Sequence, residues 1–125
     1  MAKKFSFYGE KVFRIFILNE VEKEIEKLKD LKGQKKIINM LDRLLERIPN
    51  NPEQWKRLEG CQTAYELKPK PYRLGCFFDG GKDILVVHFW RVQSNKSKSK
   101  IREIEKTCKK IEELKDEFKK FTRKI

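Results

Sequence analysis

The sequence predicts an α+β fold with the element order β-α-α-β-β-β-α: a small antiparallel-dominated sheet, a helical hairpin packed on it, and a C-terminal helix. A short run dense in β-branched and aromatic residues, Lys11–Leu18 (KVFRIFIL), precedes two blocks of helical periodicity. Thr63–Arg91 then divides into strand-length pieces separated by proline- and glycine-marked turns. A last block, about residues 99–121, carries apolar residues at steps of three and four.

Taken in order, residues 1–10 are a basic, aromatic lead-in. Phe5 and Phe7 alternate with polar residues, which fits an edge strand or an arm equally, and Gly9 is expected to end it. Lys11–Leu18 is the first strand. Asn19 is a candidate N-cap for the first helix, with Glu22 three positions on as its capping-box partner. Val21, Ile25, Leu28 and Leu31 form that helix's apolar stripe, and Gly33 is expected to break it. The second helix runs from about Gln34 to Ile48 on Ile37, Leu41 and Leu44, until Pro49-Asn50-Asn51-Pro52 stops it. Pro52–Gly60 reads as a connector. The strands that follow are about Thr63–Lys68, Tyr72–Phe78 and Ile84–Arg91. Pro69 and Pro71 stiffen the first turn, and Asp79-Gly80-Gly81-Lys82 is a hairpin signal. On the last strand Val86, His88 and Trp90 should share one face. The C-terminal stripe (Ile101, Ile104, Cys108, Ile111, Leu114, Phe118, Phe121) must bury against its own sheet, a second copy or a partner.

A length of 125 residues fits a single domain, 1–125, without repeats or a linker. Charged residues make up 40% and the net charge is +12, of which Arg91–Ile125 supplies +7 (thirteen Lys/Arg against six Asp/Glu). Such an excess selects polyanionic partners. Cysteines 61, 76 and 108 are odd in number and lack CxxC spacing, which argues against a disulfide framework or structural zinc. No stretch reads as a signal peptide or a membrane span, so a reducing cytoplasm is the expected location.

Phosphate-loop, zinc-protease and nucleophile-elbow motifs are absent, and one histidine excludes a two-histidine mechanism. No carboxylate cluster suggests a metal, and no cofactor is expected. What remains is a set of cations around the three-strand region. RNA carries its own nucleophile, the 2′-OH, so cleavage needs in-line geometry, charge stabilisation and two proton transfers. Arg73 offers a fork for two phosphate oxygens, Lys68 and Lys70 flank it, and His88 is a candidate for proton transfer. Trp90 is a candidate for stacking on a base, and Lys96, Lys98 and Lys100 for contacting phosphates. The bland alternatives are an edge-strand ion pair for Arg73, core packing for His88 and Trp90, and solvated faces for the lysines.

FRIFILNEVEKEIEKL resembles the opening strand and helix of the RelE/ParE toxin superfamily. GCQTAYELKPKPYRLGCFFDGGKDILVVHFW resembles its three-strand meander, in the phrasing of the HigB-like/RelE branch. SKSKIREIEKTCKKIEEL resembles that branch's basic linker and final helix, so the likeness spans about Lys11 to Leu114. It implies a RelE-like fold and a type II toxin, neutralised by a cognate antitoxin, that cuts mRNA on the ribosome without metal. It implies that Lys68 is the lysine of the "YxLK" strand and Arg73 the arginine that stabilises the transition state. Arg91 and Lys96 fall where the family has further cations. The tyrosine of RelE near its C-terminal end has no counterpart after Tyr72, which leaves the proton-transfer group open. A gyrase-targeting toxin like ParE and a basic RNA-binding protein without cleavage are the competing functions.

Overall fold

A computed structural model describes residues 4–92 and 97–125 of the chain. Its strands are β1 (Phe5–Glu10), β2 (Arg14–Leu18), β3 (Trp55–Arg57), β4 (Ala64–Leu67), β5 (Tyr72–Phe78) and β6 (Asp83–Arg91). Its helices are α1 (Asn19–Glu26), α2 (Leu31–Leu44) and α3 (Ser97–Arg123). One six-stranded sheet has the order β1-β2-β6-β5-β4-β3. The β2–β6 pair is parallel and the other neighbours are antiparallel.

The predicted element order is therefore wrong. The chain runs β-β-α-α-β-β-β-β-α, with four strands after the helices rather than three, and the sheet is mixed. Two short edge strands account for the difference. β1 has a register shift between Phe7 and Gly9, which breaks the alternation that identifies a strand. Gly9 lies inside β1 rather than ending it. The strand is fixed from far away in sequence: Phe5 is buried, its ring 5.3 Å from Phe118 and 5.2 Å from Phe121. β3 is only Trp-Lys-Arg, too short to show a period, and lies in the expected connector. Its Trp55 stacks on Tyr65 of β4 at 4.9 Å.

The helix boundaries also move. Asn19 is the first residue of α1 rather than its cap: Leu18 holds the cap position and makes no side-chain capping bond. Ser6 of β1 instead donates its hydroxyl to Asn19 Oδ1 at 2.5 Å and to Glu22 Oε1 at 3.2 Å. Gly33 starts a helix instead of breaking one. Asp30 caps α2 by accepting from the Gly33 N–H at 3.0 Å. A methyl group at Gly33 would run into the Tyr72 ring and the Asp30 carboxylate, so this close approach is the reason for glycine there. Ile37, Leu41 and Leu44 of α2 are fully buried.

The three openings for the C-terminal stripe resolve onto the chain's own sheet. Ile111 and Phe118 are buried and Leu114 nearly so. Phe118 meets Phe16 and Phe77 edge-on at 5.4 and 6.0 Å. Ile101 alone of the stripe stays largely exposed, at 54%. The expectation about cysteine is overturned as well: Cys61, after β3, and Cys108, on α3, form a disulfide with Cα atoms 6.0 Å apart. Odd number and irregular spacing gave no hint of it, because the pairing depends on α3 lying over the sheet. Cys76 is free and buried.

Candidate functional site

Strand alternation sorts the candidate residues onto the two faces of the sheet. Tyr72 points toward α2, where its hydroxyl donates to Asp30 Oδ2 at 2.9 Å. Its neighbour Arg73 consequently points to the other face, the one α3 covers. Gly75 lies on that face too, directly beneath Thr107 of α3. Across the β5–β6 ladder Arg73 pairs with Trp90 and Gly75 with His88, while Cys76 pairs with Val86. Val87 is thus an extra residue on β6, a bulge that interrupts the expected single line of Val86, His88 and Trp90.

The face so formed holds four of the predicted residues. Arg73, Lys68, His88 and Trp90 come together near the N-terminal end of α3. Lys68 follows β4 with the parity of Glu66 and lies within electrostatic reach of Glu66, Lys56, Arg73 and Lys100. Burial pushes the Lys68 ammonium pKa below its ordinary value. The Glu66 carboxylate opposes that shift, and Lys56, Arg73 and Lys100 add to it. His88 donates its Nε2–H to Glu103 Oε2 on α3 at 2.9 Å and stacks on Trp90 at 5.1 Å. Glu24 of α1 is also within electrostatic reach of His88.

Arg73 is held on two sides. One terminal guanidinium nitrogen donates to the Tyr72 carbonyl at 2.9 Å, and Nε lies 3.7 Å from Glu66 Oε2. The Arg73 side chain is 16% exposed and that of Glu66 4%. The bland alternative, an ion pair, is therefore part of the answer. Yet two carboxylates, Glu66 and the more distant Glu53, stand against Lys56, Lys68, Arg73 and Lys100, so the local balance stays cationic.

The remaining candidates, Lys100 near Lys68 apart, lie elsewhere. Arg91 pairs with Tyr72 across the ladder and its guanidinium sits 5.9 Å from that ring, on the opposite face from Arg73. Lys70, in the β4–β5 turn, pairs with Glu53 at 2.8 Å and is well exposed. Lys98 and Lys100 are exposed at the start of α3, and Lys96 lies outside the described residues.

No protein-family model matches the chain. An uncharacterized protein of Aquifex aeolicus (strain VF5) is similar to it, 37% identical over 118 residues that make up 88% of this chain and 86% of the relative. The chain belongs to the family of that protein. The likeness runs along most of both chains and by itself assigns no chemistry.

Sequence reasoning missed Glu66, Glu103 and Lys56. Glu66 was within reach: it stands two residues before Lys68 and so shares its face. Lys56 needed the unforeseen pairing of β3 with β4, where it sits opposite Glu66. Glu103 needed the docking of α3. Among the described residues no His, Cys, Asp and Glu side chains gather in threes as a metal-donor set, and no helix is long and apolar enough to cross a membrane.

Proposed function

We propose that the protein is the toxin of a type II toxin–antitoxin system, a cytoplasmic mRNA endoribonuclease of the RelE/HigB kind that acts on ribosome-bound message and is neutralised by a cognate antitoxin. The observation that carries this reading is the meeting of Lys68, Arg73, His88 and Trp90 on one cation-rich face. The substrate supplies the nucleophile. Its 2′-oxygen bonds to phosphorus, the bond to the 5′-oxygen breaks, and a 2′,3′-cyclic phosphate forms. Arg73 stabilises the charge that builds on the non-bridging oxygens. Lys68, whose burial makes its proton easier to give up, protonates the leaving 5′-oxygen. His88, oriented by Glu103, takes the 2′-OH proton. Arg91, on the far face, is left out of this set.

The test is induced expression without antitoxin. Growth arrest with new mRNA 5′ ends is expected, and Arg73→Ala should relieve it. Undiminished toxicity of that variant would remove Arg73 from the mechanism. A second reading draws on the Glu66–Arg73 contact: an arginine already held by a carboxylate suits a protein that binds RNA without cutting it. Salt-dependent RNA binding without cleavage on translating ribosomes would select it.

A further inference from the structure

We propose that the Cys61–Cys108 disulfide is a redox latch that holds the start of α3, with Lys100, beside the Lys68–Arg73 face. The proposal rests on that face being a polyanion site. The anchors of α3 are unevenly spread. From Thr107 onward the helix is held by buried Thr107, Ile111, Leu114 and Phe118. Before Thr107 the described tertiary holds are the Glu103–His88 hydrogen bond and the partly buried Ile104, and Ile101 is 54% exposed. The disulfide sits where firm packing gives way to this lightly held segment. Segments with few buried contacts open locally at small cost, so a covalent tie at their root has a large effect on them.

Both bonded cysteines are partly exposed, which gives a reductant access. Cys76 is wholly buried and its thiol pKa is pushed up by burial, so it does not enter exchange. The reaction is thus confined to one bond. A thiolate of a dithiol reductant attacks one sulfur, the S–S bond breaks, and a mixed disulfide forms. The reductant's second thiol displaces it, leaving two cysteine thiols and an oxidised, cyclic reductant that has given up two electrons. In a reducing cytoplasm a disulfide is more often a sensor of this sort than a permanent staple. Released, the start of α3 no longer keeps Lys100 near Lys68, and the face loses that cation.

The experiment compares the oxidised and dithiothreitol-reduced full chain by amide hydrogen exchange and by the salt dependence of binding to a short labelled oligouridylate. On reduction, amides 98–106 should exchange faster while those of Ile111–Phe118 keep their protection. The slope of log affinity against log salt should shrink by about 0.7, one phosphate contact. Cys61→Ser should behave as the reduced protein in either buffer. Unchanged exchange at 98–106 overturns the latch. Loss of protection at Ile111–Phe118 also overturns it, since the bond would then be a staple for the whole fold. Faster exchange with an unaltered slope overturns the link to the cationic face. If oligouridylate binds in neither state the RNA reading fails separately, and the exchange data decide the latch alone.

Discussion

Gly33 lies where two elements converge: the start of α2, capped by the Asp30 carboxylate, and β5, through the Tyr72 ring. Gly33→Ala must displace the ring or the cap. The expected loss is about 1–3 kcal/mol, the usual cost of overpacking, read as a lower urea midpoint with an unchanged m value. Asp30 gives the same site a pH signature. The Gly33 N–H and then the Tyr72 hydroxyl hold its pKa below its ordinary 3.8. The stabilisation is present above that value and disappears as pH falls through the lower folded one. Urea midpoints measured from pH 5 down to pH 2 should fall less steeply in Asp30→Asn than in the unaltered chain; parallel curves would show that Asp30 carries none of the dependence. At this scale the sequence is informative wherever strand parity decides. Lys68 and Arg73 share a face for that reason alone. It is silent on Glu103 and on the Thr107–Gly75 contact, because both need the position of a helix whose contacting residues come 15 positions after His88 and 32 after Gly75.

Elements are legible in proportion to their length and their internal periodicity. The stripe of α3 and the hairpin before β6 can be read directly. β1 and β3 cannot, since a bulge hides one and the other has three residues. Both are defined by partners, not by pattern. Helix ends fail for a similar reason: Asn19 and Gly33 have the chemistry of a cap and a breaker, and tertiary contacts with Ser6 and Tyr72 give them other work. The pairing of elements makes its own prediction. Arg14 on β2 grips Asp83 on β6 with two hydrogen bonds, of 2.6 and 2.9 Å, and also reaches the Thr122 carbonyl of α3 at 3.4 Å. Asp83→Ala leaves a guanidinium only 14% exposed without its carboxylate. A loss of about 2 kcal/mol is expected in chemical denaturation. A change no larger than about 0.5 kcal/mol, the range of neutral surface substitutions, would show that water replaces the pair.

For the molecule as a whole, composition alone points to a polyanion, through the net charge and its concentration toward the C-terminus. What charge does not disclose is that the cations divide between two faces. Lys68 and Arg73 lie beneath the start of α3, and Arg91 lies over Tyr72 on the other side. The division is testable. On the proposed toxin function, Arg73→Ala should abolish toxicity in growing cells, while Arg91→Ala should leave cleavage in place and weaken association with RNA by no more than one phosphate contact, a slope change of about 0.7. Equal loss of activity in both variants would mean that the substrate spans both faces.

The parallel pairing of β2 with β6 bears on how the molecule comes into being. Arg14 waits for a partner 69 positions downstream, so the middle of the sheet cannot close while the chain is still short. A nascent polypeptide halted before Asp83 has its first hairpin and helices, but the inner edge of β2 lacks its β6 neighbour and the sheet on which α3 settles is incomplete. Birth order therefore keeps the cationic face unassembled until β6 and α3 have both been made.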